Sequence, residues 1–279
     1  MIVQREMIER VRQLCREDKD IAAAWMYGSF TRGEGDAYSD IEFCIYLDEA
    51  VLDEFDPERW ISQIAPVSLY MVNEYGNHTV IFDNLVRGEF HFDPVGEMAA
   101  IRDEGDLAGF PPPESMFIAD RTGALRSHLR AVSGRGPERC NGAEISQLWR
   151  HTLNWMLFGM NVLARGERAR ALEILWFVQR YLLRLVRIQE KRTERWLTPT
   201  KALEEDLSPE AYARYRACTA SLEGTQLEDA YHAAWIWGRA LIRDLAHDYD
   251  VEDQGTLVRK LDGHFADVLC DCKLSRNRD

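Results

Sequence analysis

Two acids separated by one residue, with a Gly-Ser pair upstream, give the chain its first chemical signal. Asp40 and Glu42 flank Ile41, and Gly28-Ser29 precedes them. On an extended strand, alternate side chains share a face, so both carboxylates point the same way. Held side by side they repel, and a cation relieves that repulsion; hard divalent ions take oxygen ligands. A glycine lets the backbone approach a ligand closely, and a serine adds a hydroxyl and an N–H. The set suits a nucleoside triphosphate whose phosphates are bridged to the acids by Mg²⁺.

These residues need rigid elements to hold them. The apolar run 22–27 predicts a strand that ends at Gly28, and 41–47 predicts a second one. Ile41, Phe43, Ile45 and Leu47 face away from the acids, toward a core. The segment between, 31–36, is polar and turn-rich. Residues 2–18 carry Ile2, Met7, Ile8, Val11 and Leu14 at helical spacing, which predicts an amphipathic helix covering the sheet. A helix over 53–64 is expected, with Asp53 as its cap and Pro57 in its first turn. Strands are expected at 68–74, 78–83 and 87–93. The last alternates cleanly, with Glu89, His91 and Asp93 on one face and Phe90 and Phe92 on the other.

The run Met26-Tyr27-Gly28-Ser29-Phe30-Thr31, then Gly33-Glu34-Gly35-Asp36 and Tyr38-Ser39-Asp40-Ile41-Glu42, resembles the polymerase-β-like nucleotidyltransferases. With Val80 to Leu85 and Arg87-Gly88-Glu89-Phe90-His91-Phe92 added, it looks like the lincosamide branch, enzymes that adenylate lincomycin and clindamycin. The strong match covers the first third of the chain, and a weaker one continues through 159–163 and 165–167. The resemblance implies that the strand carrying Glu89 lies beside the Asp40/Glu42 strand and that Glu89 completes a carboxylate trio. Glu89 then serves as general base for the incoming hydroxyl or as a further metal ligand. Asp93 competes for that role on position alone, and His91 is expected to support the trio rather than act as base. The resemblance further implies Mg²⁺, as two ions on Asp40 and Glu42, with ATP as co-substrate at Gly28-Ser29. The acceptor is a lincosamide hydroxyl, the products are an adenylated drug and pyrophosphate, and the enzyme is a homodimer.

Beyond a stretch rich in Gly, Asp and Pro at 105–113, the pattern changes. A bridging helix is expected at 120–132 and a loop at 133–137. Long helices then follow at 145–160, 169–188, 209–222, 226–248 and 254–270, with no strand pattern between them. The expected fold class is α+β: an N-terminal domain with a mixed β-sheet flanked by helices over 1–110, then a C-terminal α-helical bundle over 111–279. Trp149, Trp155, Trp176, Trp196, Trp235 and Trp237 all lie in the bundle, mostly as core. Arg170, beside Arg168 at the start of the second bundle helix, is the candidate from this half for clamping the triphosphate with a forked donor set.

Composition bounds the readings. A net charge of −13 argues against broad nucleic-acid binding, because phosphate contacts need a basic surface. No apolar run reaches membrane-span length, and the N-terminus lacks a signal-peptide core. The six cysteines are scattered apart from Cys270-x-Cys272, which as a half metal site has no second pair. A cytoplasmic protein with reduced thiols is expected. Three rival functions remain: the same chemistry on an aminoglycoside, nucleotidyl transfer to RNA or protein, and a catalytically dead nucleotide-binding module.

Overall fold

Short runs of β-branched and aromatic residues form one six-stranded mixed sheet: β1 (Ile21–Met26), β2 (Ile41–Leu47), β3 (Val67–Val72), β4 (His78–Phe82), β5 (Arg87–Pro94) and β6 (Phe117–Asp120). The computed structural model describes residues 2–105, 109–134 and 136–276, with side chains described through Cys270. Residues 106–108 of the expected linker, Arg135 of the expected loop and the Cys272 side chain lie outside the described residues. Strand order is β3-β4-β5-β2-β1-β6. β2 and β5 run parallel, and the other pairs are antiparallel.

Both faces of the sheet are covered. Helix α1 (Val3–Glu17) lays Met7, Ile8, Val11 and Leu14 over Ile41, Phe43, Ile45 and Phe90 on one face. On the other, Trp25 and Tyr46 pack with Met98, Ile101, Leu125 and Leu129. Helix α2 (Pro57–Ile61) is shorter than expected, and its cap is Asp56 rather than Asp53: the Asp56 carboxylate accepts from the Arg59 N–H at 3.0 Å. Pro57 then sits in the first turn, where no N–H is needed. Two short helices, α3 (Ile101–Glu104) and α4 (Pro113–Met116), precede β6. The stretch 120–132 begins as strand, and only Leu125–Val132 (α5) is helical.

Contacts divide the chain into two compact units, Met1–Pro137 and Glu138–Asp279. The division falls later than the boundary expected near 110, because β6 hydrogen-bonds to β1 and α5 packs into the first unit's core. The second unit is helical: α6 (Gly142–Ala164), α7 (Arg168–Gln189), α8 (Leu203–Asp206), α9 (Pro209–Ala217), α10 (Gln226–Leu245) and α11 (Gly255–Arg276). Asn141 caps α6 by accepting from the Glu144 N–H at 2.8 Å. Gly159 admits the Tyr231 ring where a side chain would collide, and the Tyr231 hydroxyl donates to the Ala171 carbonyl at 2.7 Å. Trp149, Trp196, Trp235 and Trp237 are core, whereas Trp176 is 47% exposed. Arg187, 0% exposed, donates to the carbonyls of Pro199, Arg192 and Lys201 and to the Asp206 carboxylate, tying down the segment between α7 and α9. Together the units make the expected α+β architecture.

Candidate active site

The parallel pairing of β2 and β5 sets Glu42 directly opposite Glu89. Asp40 sits just before β2, two residues from Glu42 and on the same face. The three acids that the sequence picks out therefore gather at one end of two adjacent strands. Asp93 is set opposite Tyr46, further along the strand.

One cation ties the acids together. Arg87 donates from Nη1 to Asp40 Oδ2 at 2.7 Å and from Nη2 to Glu89 Oε2 at 2.6 Å. The other Glu89 oxygen accepts from the Tyr27 hydroxyl and from Asn77 Nδ2, each at 3.2 Å. His91 Nε2 lies 2.9 Å from the Tyr27 hydroxyl and 3.6 Å from Glu89, a supporting position. Burial raises the Glu89 carboxyl, but the Arg87 hydrogen bond and charge and the Tyr27 hydrogen bond outweigh it, so Glu89 is held below its ordinary value. Burial and the neighbouring acids push the Tyr27 phenol far up, so it stays a neutral donor.

Gly28 ends β1 with φ 81° and ψ −158°, a region open in practice only to glycine. Its Cα faces the Glu42 carboxylate so closely that any Cβ would collide with it. The Tyr27 N–H donates to the Glu42 carbonyl at 3.1 Å, fixing this approach. Ser29 opens a 3₁₀ turn, and its buried Oγ has no hydrogen-bond partner among the described residues. A buried hydroxyl in that state is short of a ligand.

Among the described residues no three His, Cys, Asp or Glu side chains converge closely enough to hold an ion. The Arg87 guanidinium lies between Asp40 and Glu89. The donor set itself, three carboxylates on neighbouring strands beside a partnerless hydroxyl, fits a hard divalent cation carrying phosphate. Arg170 belongs to the second unit, where it pairs with Glu167 at 3.3 Å and lies over the Phe158 ring.

From Glu89 a cleft of about 390 Å³ runs along the sheet. Trp25, Tyr46 and Phe110 supply its aromatic lining, and Asp93, Glu97 and Glu104 make it acidic.

Residues 9–89 match the family model "Polymerase beta, Nucleotidyltransferase", a span that takes in Gly28, Ser29, Asp40, Glu42 and Glu89. Residues 142–264 match "Lincosamide nucleotidyltransferase-like, C-terminal domain". Two separate stretches of the chain are thus each similar to a nucleotidyltransferase family. No protein of curated function matches it. Among solved structures, an aminoglycoside 6-adenyltransferase from Bacillus subtilis is similar at 11% identity and a TM-score of 0.43, covering 95% of this chain and 98% of that one. A nucleotidyltransferase-like protein from Exiguobacterium sibiricum 255-15 is similar at 15% identity and a TM-score of 0.41, covering 85% of this chain and 75% of that one. At such scores nothing about substrate passes from either to this chain.

Sequence reasoning passed over Tyr27 and Asn77 as partners of Glu89, and quoted Arg87 without a role. Strand alternation offered one clue, because Arg87 shares the face of Glu89. Asn77 reaches the site from a turn, where no periodicity exists to point at it.

Proposed function

We propose that this nucleotidyltransferase transfers AMP from Mg-ATP to a hydroxyl of a lincosamide and releases pyrophosphate. The observation that carries the reading is the direct pairing of Glu42 with Glu89, beside Asp40 and against Gly28. Asp40, Glu42 and Glu89 would hold Mg²⁺, as a pair of ions, which when bound offsets charge on the phosphates. Gly28 and Ser29 receive the triphosphate, the serine through its partnerless hydroxyl. Arg170 is the proposed further clamp from the helical unit. The acceptor oxygen forms a bond to the α-phosphorus as the bond to the pyrophosphate oxygen breaks. Glu89 takes the hydroxyl proton, with Tyr27 and Asn77 fixing the angle of its carboxylate.

The acidic, aromatic cleft beside Glu89 favours an acceptor that carries a basic amine and an apolar body. Lincosamides meet that description. An aminoglycoside is the second reading, favoured by the same three acids. Nucleic acid is a poor fit to such a lining. We further place the enzyme in the cytoplasm, as a homodimer joined through its helical unit; no helix of the described residues is long and apolar enough to cross a membrane.

The test is to incubate the protein with Mg-ATP and a panel of lincosamides and aminoglycosides. A mass gain of one AMP on lincomycin or clindamycin, with pyrophosphate released, is expected. A gain only on aminoglycosides would select the second reading. No pyrophosphate with any acceptor would overturn both.

A further inference from the structure

We propose that Arg87 is a built-in counter-ion, seated among the carboxylates until a divalent cation with its nucleotide displaces it toward the triphosphate. The inference rests on the nucleotidyltransferase reading of this site and adds a residue to it.

Three acids gathered at one end of two strands would repel one another in the metal-free protein. Arg87 relieves that repulsion by bridging Asp40 and Glu89 with separate nitrogens of one planar group. Both distances are those of strong charge-assisted bonds, so the bridge is not incidental. It is also easily undone. The Arg87 side chain is 44% exposed, its stem begins at the first residue of β5, and no other described hydrogen bond or ion pair holds its guanidinium. An arginine so placed can swing while the strand stays put.

The bridge has a chemical consequence. Arg87 occupies Glu89 Oε2 while Tyr27 and Asn77 occupy Oε1, so Glu89 has both oxygens engaged in the metal-free protein. A cation that is to reach Oε2 must therefore displace Arg87. When Arg87 leaves, one oxygen is freed on the side of the acids and the other stays fixed. The forked guanidinium, once released, matches phosphate oxygens as well as it matched carboxylates.

The test measures Mn²⁺ binding without nucleotide, by calorimetry and by the spectrum of free Mn²⁺, in wild type, Arg87→Gln, Arg87→Lys and Asp40→Asn. Removing one unit charge beside an ion shifts its equilibrium by roughly a factor of ten or more, so Arg87→Gln should bind Mn²⁺ roughly tenfold tighter. Its melting temperature should fall in EDTA and recover with Mn²⁺. Arg87→Lys, which keeps the charge but not the fork, should lie between. With Mn-ATP present, Arg87→Gln should lose nucleotide affinity. Unchanged or weaker Mn²⁺ binding by a folded Arg87→Gln, while wild type binds and Asp40→Asn does not, would overturn the counter-ion and leave the nucleotidyltransferase site standing. Equal binding by wild type and Asp40→Asn would overturn the metal site itself, and the proposal with it.

Discussion

At position 28 the backbone runs through a conformation that costs other residues about 1–3 kcal/mol, and the Glu42 carboxylate fills the space a methyl would take. Gly28→Ala should therefore lower stability by about that amount and move Glu42 off its line with Glu89. Pyrophosphate release should fall further than the melting temperature does. A variant with full transfer activity would show that the Gly28–Glu42 approach is dispensable. Glu89 makes a second prediction. Its carboxyl is held below its ordinary value of 4.5, so its ionised form stabilises the fold above that pH, and the contribution is lost as pH falls through the lower, folded-state value. The gap in melting temperature between wild type and Glu89→Gln should be widest at neutral pH and close only in acid. Transfer by wild type should stay flat across neutral pH, whereas single-turnover AMP transfer in Glu89→Gln should drop severely. An unchanged single-turnover rate would remove the base. Strand alternation puts Asp40 and Glu42 on one face, whereas only the resemblance carried by the long motifs sets Glu89 beside them. Arg87 as a bridge is not legible. A strand arginine beside an acid is ordinary, and only the parallel register shows that one guanidinium spans two strands.

Among the elements, the helices and the middle strands of the sheet follow from periodicity, which a buried stripe enforces. Elements that rest on a single contact do not. Asp53 is the expected cap of α2, yet Asp56, one residue before Pro57, takes that place. Strand β6 is only four residues long, and pairing with β1, nearly a hundred residues away, makes it a strand. Its local sequence carries no such instruction. In the helical unit, Arg187 does what a short linking helix cannot do alone, satisfying three carbonyls and an acid from inside the core. Arg187→Met leaves those acceptors without a donor and should cost about 3 kcal/mol or more, read as a lower urea midpoint. A loss no larger than that of a surface substitution would show that the carbonyls find water instead.

For the molecule as a whole, net charge of −13 is a poor guide to a site that must receive a polyanion. The acids matter locally: three gather around Arg87 and three more line the cleft. The helical unit leaves Trp176 exposed, with Arg180 over its ring. Aromatic and arginine surface of that kind is enriched at protein interfaces. Sedimentation at micromolar concentration should return the mass of two chains, and the mass of one would remove the proposed dimer. The two-unit organisation is legible from the change of periodicity. The place of the division is not, because the proline-rich stretch looks like a linker yet leads back into the sheet.

The parallel register of β2 and β5 also sets an order in time. Antiparallel neighbours joined by tight turns can zip up as they are made, but parallel partners must wait for the chain to travel away and return. Here that excursion is α2, β3 and β4, and β5 closes it only with Arg87–Pro94. Glu42 is therefore synthesised well before the residue it must face, and so are the backbone turn at Gly28 and the hydroxyl of Ser29. During that interval the nascent chain carries Asp40 without the arginine that pairs with it. Because Arg87 and Glu89 lie on the same strand, the third acid and the cation that offsets it arrive together.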